Sequence, residues 1–159
     1  MDTVALVEKY PNSDERVLAE QIVRSGGGPA SVAAVTLARL GINSAIVGTI
    51  GDDEDGRSVL DIFKREGVDT SGISIHKGAT SGSVIVAAKS ESTRAISTRQ
   101  PVSQVKPNES AKKLAANSKW VHVDHVGINL LPDLGITRGG SVKISFDAGY
   151  GVKDFDVSL

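Results

Sequence analysis

An α/β layered fold with a block of antiparallel strands set into it is what this sequence predicts, and three observations predict it. The run Gly26-Gly27-Gly28-Pro29, followed by the largely apolar Ala30–Leu40, reads as a glycine turn feeding a helix. Apolar strand-like runs and helical segments then alternate as far as Gly67, the order of a layered α/β chain. Between Ile73 and Thr98 the character changes to short Ser-, Thr- and Val-rich runs separated by turn residues, which reads as hairpins.

Taken in order, Asp2–Val7 is a strand-like apolar segment that starts straight after Met1, so the opening looks cut short; Tyr10–Asp14 supplies turn chemistry. Val17–Arg24 has no strong period and reads as an exposed strand leading into the glycine turn. In the helix that follows only Ser31, Thr36 and Arg39 are polar, so the sequence predicts cover on both sides, with Gly41 as a left-handed cap. Its N-terminus, with free N–H groups beside flexible glycines, suits an anion or a hydroxyl-rich ligand. The spacing is not that of a dinucleotide fingerprint, and no Gly-Lys-Ser or Gly-Lys-Thr follows to make a Walker loop.

Ser44–Gly48 has the composition of a buried strand, and Asp52–Gly56 opens a helix whose acidic residues suit its dipole-positive end. Asp52, Asp53 and Asp55 are explained by that dipole more simply than by a metal. The helix carries Val59, Leu60, Ile62 and Phe63 and stops at Gly67. Ile73–His76, Gly82–Lys89 and Arg94–Thr98 are the predicted hairpin strands, Pro101–Pro107 a linker, Glu109–Ala116 a helix and Trp120–Val123 a central strand. A short helix over Leu130–Leu134 precedes a strand over Val142–Asp147.

The 159 residues are one domain's worth, and 40% hydrophobic residues are enough for a core. A net charge of -1 and 4% aromatic residues argue against a nucleic-acid or membrane-surface partner, whose affinity would rest on clustered basic charge. The absence of cysteine removes disulfides, thiolate metal sites and cysteine nucleophiles together. No apolar run approaches bilayer length and no signal peptide precedes the first charges, so a cytoplasmic address is expected.

Several separate motifs share one resemblance. The glycine turn and its helix, then Ile50-Gly51-Asp52-Asp53-Glu54-Asp55-Gly56, then Glu66-Gly67-Val68-Asp69-Thr70, resemble in order and spacing the N-terminal half of the PfkB, or ribokinase-like, carbohydrate kinases. Asp2–Pro11 is similar to the substrate-binding opening of that family, notably of its ketohexokinase branch. Glu91-Ser92-Thr93-Arg94 resembles the hairpin of its lid. The turn Gly26–Ala30 resembles that of the sulfofructose kinase branch, which keeps an unusual or anionic sugar open.

The resemblance implies a ribokinase-like three-layer α/β/α core, incomplete in these 159 residues, with a small antiparallel β lid from about residues 2–24 and 73–100. It implies ATP and Mg²⁺ as cofactors of the full-length protein and transfer of the γ-phosphoryl group to a sugar hydroxyl. Asp2 matches the aspartate that accepts hydrogen bonds from sugar hydroxyls, and Gly27 and Gly28 match the turn lying against the sugar. Pro29 and Val32 fall on the same substrate-binding segment. Many members carry Asn or Lys in place of Pro29, and Val32 stands where the family has an Asn that holds hydroxyls. Arg94 on the lid, and Asp124 and His125 at a strand end, complete the candidate site. His122 ends the same strand, and polar strand-end residues need no metal to explain them. For Lys89, Arg94 and Arg99, solvated surface charge competes with an anionic-sugar role. Asp147 resembles the Asp of the family's Asp-x-Asn-x-Arg segment, with Gly149 and Gly151 in place of Asn and Arg.

The family's Gly-Ala-Gly-Asp anion hole, which carries the catalytic base, and its Asn-x-x-Glu segment are absent from this sequence. No residue here is therefore assigned as catalytic or as holding ATP or metal; those groups are expected in a C-terminal half, and this chain alone is expected to be inactive. Its helices at Ala30 and Val59 are expected to lack part of their cover, leaving the isolated chain marginal or aggregating. A nucleoside kinase of the same fold, or a non-catalytic module forming homodimers through the β lid, are the alternatives.

Overall fold

The computed structural model describes residues 1–99 and 105–149. Its α/β part begins with helix α1 (Pro29–Arg39), strand β3 (Ala45–Gly51), helix α2 (Glu54–Arg65) and strand β4 (Asp69–His76). Strands β1 (Asp2–Val7) and β2 (Ala19–Ser25) precede it; β5 (Gly82–Ala88) and β6 (Thr93–Arg99) follow. Helix α3 (Glu109–Asn117), strand β7 (Trp120–Val123), a 3-10 turn over Gly127–Leu130 and strand β8 (Lys143–Phe146) complete the described chain. Pro101–Gln104 of the expected linker, and Gly151, lie outside the described residues.

β3 and β4 run parallel, joined by α2 in a βαβ unit. The expectation that Ile73–His76 belongs with the hairpins is corrected here: its partner is β3, with Ile50 opposite Ile75 and Gly51 opposite His76. The reason is topological, because a helix between two strands returns the chain to the same end and favours parallel pairing. Ala34, Phe63 and Val68 form the centre of this layer, and Val35, Ala38, Ile46, Val59 and Ile73 pack around them. α1 is covered on this side only among the described residues: Val32 is 55% and Leu40 71% exposed, so cover on both sides is not what the structure shows. Gly41, at φ 81°, and Gly67, at φ 73°, take the left-handed conformation that ends α1 and α2.

β1, β2, β5 and β6 form a separate four-stranded sheet in the order β2-β1-β5-β6. It is mixed rather than antiparallel. β1 pairs antiparallel with β2 and parallel with β5, while β5 and β6 form a hairpin. The parallel step follows from the long excursion of the chain through α1, β3, α2 and β4 between the two strands.

Helix α3 lies against β4 and shares a core with β7; β7 and β8 run parallel and pair only with each other among the described residues, and Trp120 is accordingly 55% exposed rather than central. Ala111, Ala115, Val123, Ile128, Leu131, Leu134 and Ile136 make this core. Of the expected helix over Leu130–Leu134 only Leu130 belongs to the 3-10 turn, and the rest is irregular turn. Pro132 has no N–H to donate, and Gly135 at φ 72° turns the chain away.

Candidate functional site

Strand register brings the two ends of the candidate site together. Asp2 is the first residue of β1 and lies opposite Ser25, the last of β2, so the glycines that follow Ser25 pass directly by the Asp2 side chain. The approach is close: a Cβ at Gly27 would stand 2.8 Å from the Asp2 carboxyl carbon and nearer still to Oδ2. Any side chain there would displace the Asp2 carboxylate. The Asp2 carboxylate accepts no hydrogen bond among the described residues, which leaves its oxygens free for a ligand.

The helix beyond the bend begins without a side-chain cap. Gly28 is its N-cap residue at φ 92°, and Pro29 occupies its first turn. Val32 N–H donates to Gly28 O at 3.0 Å, and the Val32 side chain is exposed one turn in. On the sheet, alternation places Asp2 on the same face as Ser25, Ser83 and Thr98, with Ser83 Oγ and Thr98 Oγ1 3.1 Å apart. This row of hydroxyls beside Asp2 escapes sequence reading because Ser83 is brought in by the long-range parallel pairing.

The remaining candidates lie elsewhere. Arg94 sits opposite Ala87, four residues along from the Asp2 row and so roughly 13 Å away along the strand direction. Asp124 caps its own turn: Oδ1 accepts from Val126 N–H at 3.0 Å and Gly127 N–H at 2.8 Å. His125 is exposed, and a Cβ at Gly149 would stand 3.3 Å from its Nδ1. His122 Nδ1 lies 2.9 Å from Ser145 Oγ, which also accepts from Trp120 Nε1 at 2.7 Å, so this strand-end histidine is tied into the β7–β8 pair.

The acidic run after β3 does more than complement the α2 dipole. Asp53 is the N-cap of α2, accepting from Gly56 N–H at 2.9 Å, and it also receives Thr80 N–H at 2.9 Å and Thr80 Oγ1 at 2.5 Å. Asp52 Oδ1 accepts from Gly78 N–H at 2.8 Å. Together the two carboxylates fix the segment between β4 and β5 on the start of α2. The Thr80 hydroxyl, then the backbone donors and Arg99, hold the Asp53 carboxyl down to about 2 from 3.8, against the opposing effect of burial. A depressed carboxylate stabilises the fold above its unfolded value and loses that contribution as pH falls through its folded value. Asp53→Asn is therefore expected to melt below the unaltered chain at neutral pH, the gap closing between about pH 4 and about pH 2. Thermal melts of the two proteins across that range check it; a gap independent of pH would contradict it.

Among the described residues no group of three His, Asp or Glu converges to hold a metal ion. Nor does the glycine bend suit a nucleotide phosphate, because the Asp2 carboxylate beside Gly27 would repel an anion there. The site can accept hydrogen bonds from a polyhydroxylated molecule, and no phosphoryl-transfer group is assigned to it.

Comparison with known proteins identifies the family. Residues 1–135 match the model of the pfkB family of carbohydrate kinases. The chain is 34% identical over 110 residues to fructokinase of Solanum tuberosum, covering 67% of this chain and 34% of that protein. Its fold superposes on Arabidopsis thaliana ribokinase, solved with ribose and ATP, with a TM-score of 0.68 and 18% identity over 93% of this chain and 50% of that one. It superposes equally on the nucleoside kinase of Methanocaldococcus jannaschii, with a TM-score of 0.69 and 20% identity over 94% of this chain and 49% of the other. The chain thus spans about a third to a half of the length of these proteins. With the ribokinase-like α/β fold in place and the family model matched over most of its length, the chain belongs to the pfkB family of carbohydrate kinases.

Proposed function

We propose that this chain supplies the sugar-binding part of an ATP-dependent carbohydrate kinase. The observation that carries the reading is the unpartnered Asp2 carboxylate held against Gly27. Two carboxylate oxygens fix two neighbouring hydroxyls of a sugar, which orients the acceptor; transfer further requires charge neutralisation and a base. ATP and Mg²⁺, when bound, would supply the phosphoryl group and that neutralisation; no described residue of this chain is assigned to hold them. The site row is uncharged apart from Asp2, and Arg24 and Arg99 are engaged with Asp55, so a neutral sugar suits it better than an anionic one. Val32, unable to hold a hydroxyl, leaves orientation to Asp2.

The four-stranded sheet is read as the lid over this pocket, and a cytoplasmic setting as that of the whole protein. Calorimetry of the full-length protein with D-fructose, D-ribose and adenosine, followed by ATP turnover on each, tests the proposal. Turnover on a sugar supports it, turnover on adenosine alone selects the nucleoside-kinase alternative, and turnover on none refutes both.

One observation favours a second role. The row Val23, Val4, Ile85 and Ile96 crosses the sheet on the Asp2 face, and Val23 and Ile96 at its ends are exposed. A homodimer formed by two such sheets would cover it. Light scattering is expected to give a dimer that Ile96→Lys converts to monomer; a monomer for the unaltered chain at every concentration removes the idea.

A further inference from the structure

We infer that Asp55 is a positioning residue, a single carboxylate that grips both edges of the four-stranded sheet and so keeps Asp2 against the glycine bend. The sheet shares no strand pairing with β3 or β4. Among the described residues its attachments to the α/β layer include the Gly26–Gly28 bend, the segment from Lys77 to Ser81, and side-chain contacts at the start of α2. Among those contacts Asp55, in the first turn of α2, stands out. Its Oδ1 is paired with Arg24 of β2, and its Oδ2 lies 3.4 Å from Nη2 of Arg99 in β6.

β2 and β6 are the two outermost strands, three strand spacings or about 14 Å apart. Only long side chains converging from both edges could meet on one carboxylate. Register also gives the direction of pull. Arg24 lies opposite Thr3 and Arg99 opposite Gly82, which puts both arginines on the face away from Asp2, Ser25 and Ser83. The clamp acts from behind the candidate site, at the same end of the strands. Arg99 adds Nε and Nη2 bonds of 3.1 and 2.7 Å to Thr80 O, tying the clamp to the segment that Asp52 and Asp53 hold.

Both ion pairs are solvent-accessible, with Arg24 and Arg99 side chains 51% and 54% exposed, so the grip is modest and salt-sensitive. A loose clamp of this kind sets how firmly Asp2 is placed without deciding whether the chain folds.

The test uses the 159-residue chain. Asp55→Asn is compared with the unaltered protein by amide hydrogen exchange, and by calorimetry with D-fructose and D-ribose. Exchange at Thr3, Arg24 and Ser83 is expected to quicken about fivefold, the size expected from losing two exposed ion pairs, with α3 unmoved. Added salt should quicken the same amides in the unaltered chain but not in the variant, and Asp55→Glu should restore them. Arg24→Gln, a surface change on an edge strand, should give part of the effect without touching α2. Unchanged exchange, or quickening spread equally to α3, overturns the clamp. So does quickened exchange at the sheet end with sugar affinity unaltered. The effect on sugar rests on the proposed pocket: if neither sugar binds the unaltered chain, that reading fails, and the exchange comparison decides the clamp by itself.

Discussion

Gly27→Ala is expected to weaken sugar binding by roughly hundredfold while leaving the fold almost untouched, the loss expected when two charge-assisted hydrogen bonds are displaced. The asymmetry comes from what the added methyl would meet. At Gly27 the nearest atoms are those of the Asp2 side chain, 2.8 Å at Cγ and closer at Oδ2, and no backbone atom is among the three nearest. Gly27 is not among the positive-φ residues, so alanine imposes no backbone strain. The carboxylate must swing aside, and the cost falls on Asp2's reach. Asp2→Ala is expected to lose the same affinity, and combining the two changes should add little, because both remove one group. Titration calorimetry with D-fructose and D-ribose on the three variants, beside thermal melts, checks this. A Gly27→Ala protein that binds as the unaltered chain does would show that Asp2 does not face the ligand.

Gly51→Ala should do the reverse, destabilising the chain by about 3 kcal/mol and lowering its melting temperature by roughly 10 °C. A Cβ at Gly51 would lie 2.7 Å from both the Ala79 carbonyl carbon and Thr80 N, and closer still to Gly78 O. All three are backbone atoms, so no rotamer change relieves the clash. The same packing lets Gly51 N–H donate to Thr80 Oγ1 at 3.0 Å, so the change would also disturb the hydroxyl that Asp53 depends on. Denaturant unfolding measures the loss; a change below about 1 kcal/mol would mean that the segment after β4 yields far more readily than its hydrogen bonds imply.

The fold was legible wherever a local signal carried it. Asp53 and Gly67 bracket α2, and Gly28, Pro29 and Gly41 bracket α1, because caps and breakers act within a few residues. What was not legible depended on partners distant in sequence. Nothing in Ile73–His76 itself says that β3 lies beside it, and Ser74 between two isoleucines gave it the look of a hairpin strand. The exposure of Val32, Leu37 and Leu40 on α1 was equally hidden, since an apolar side chain records that cover is favourable without supplying it. At the candidate site, Asp2 and the glycines were readable as motifs. Ser83 beside them, and the meeting of Arg24 and Arg99 on Asp55, were not, because charges and hydroxyls at three separate places carry no mark of convergence.

The parallel pairing of β1 with β5 has a consequence for how the molecule is made. The Met1 amino group donates to Ser81 O at 3.0 Å across 80 residues of sequence, and Asp2 reaches its neighbour Ser83 only when that stretch has been synthesised. During translation at about 5–20 residues per second the first strand waits several seconds with one edge bare. The Asp2 end of the sheet is thus completed only after α1, β3, α2 and β4 have been synthesised, and a nascent chain stalled before Gly82 would expose a sticky hairpin of β1 and β2 to chaperones and to its own copies.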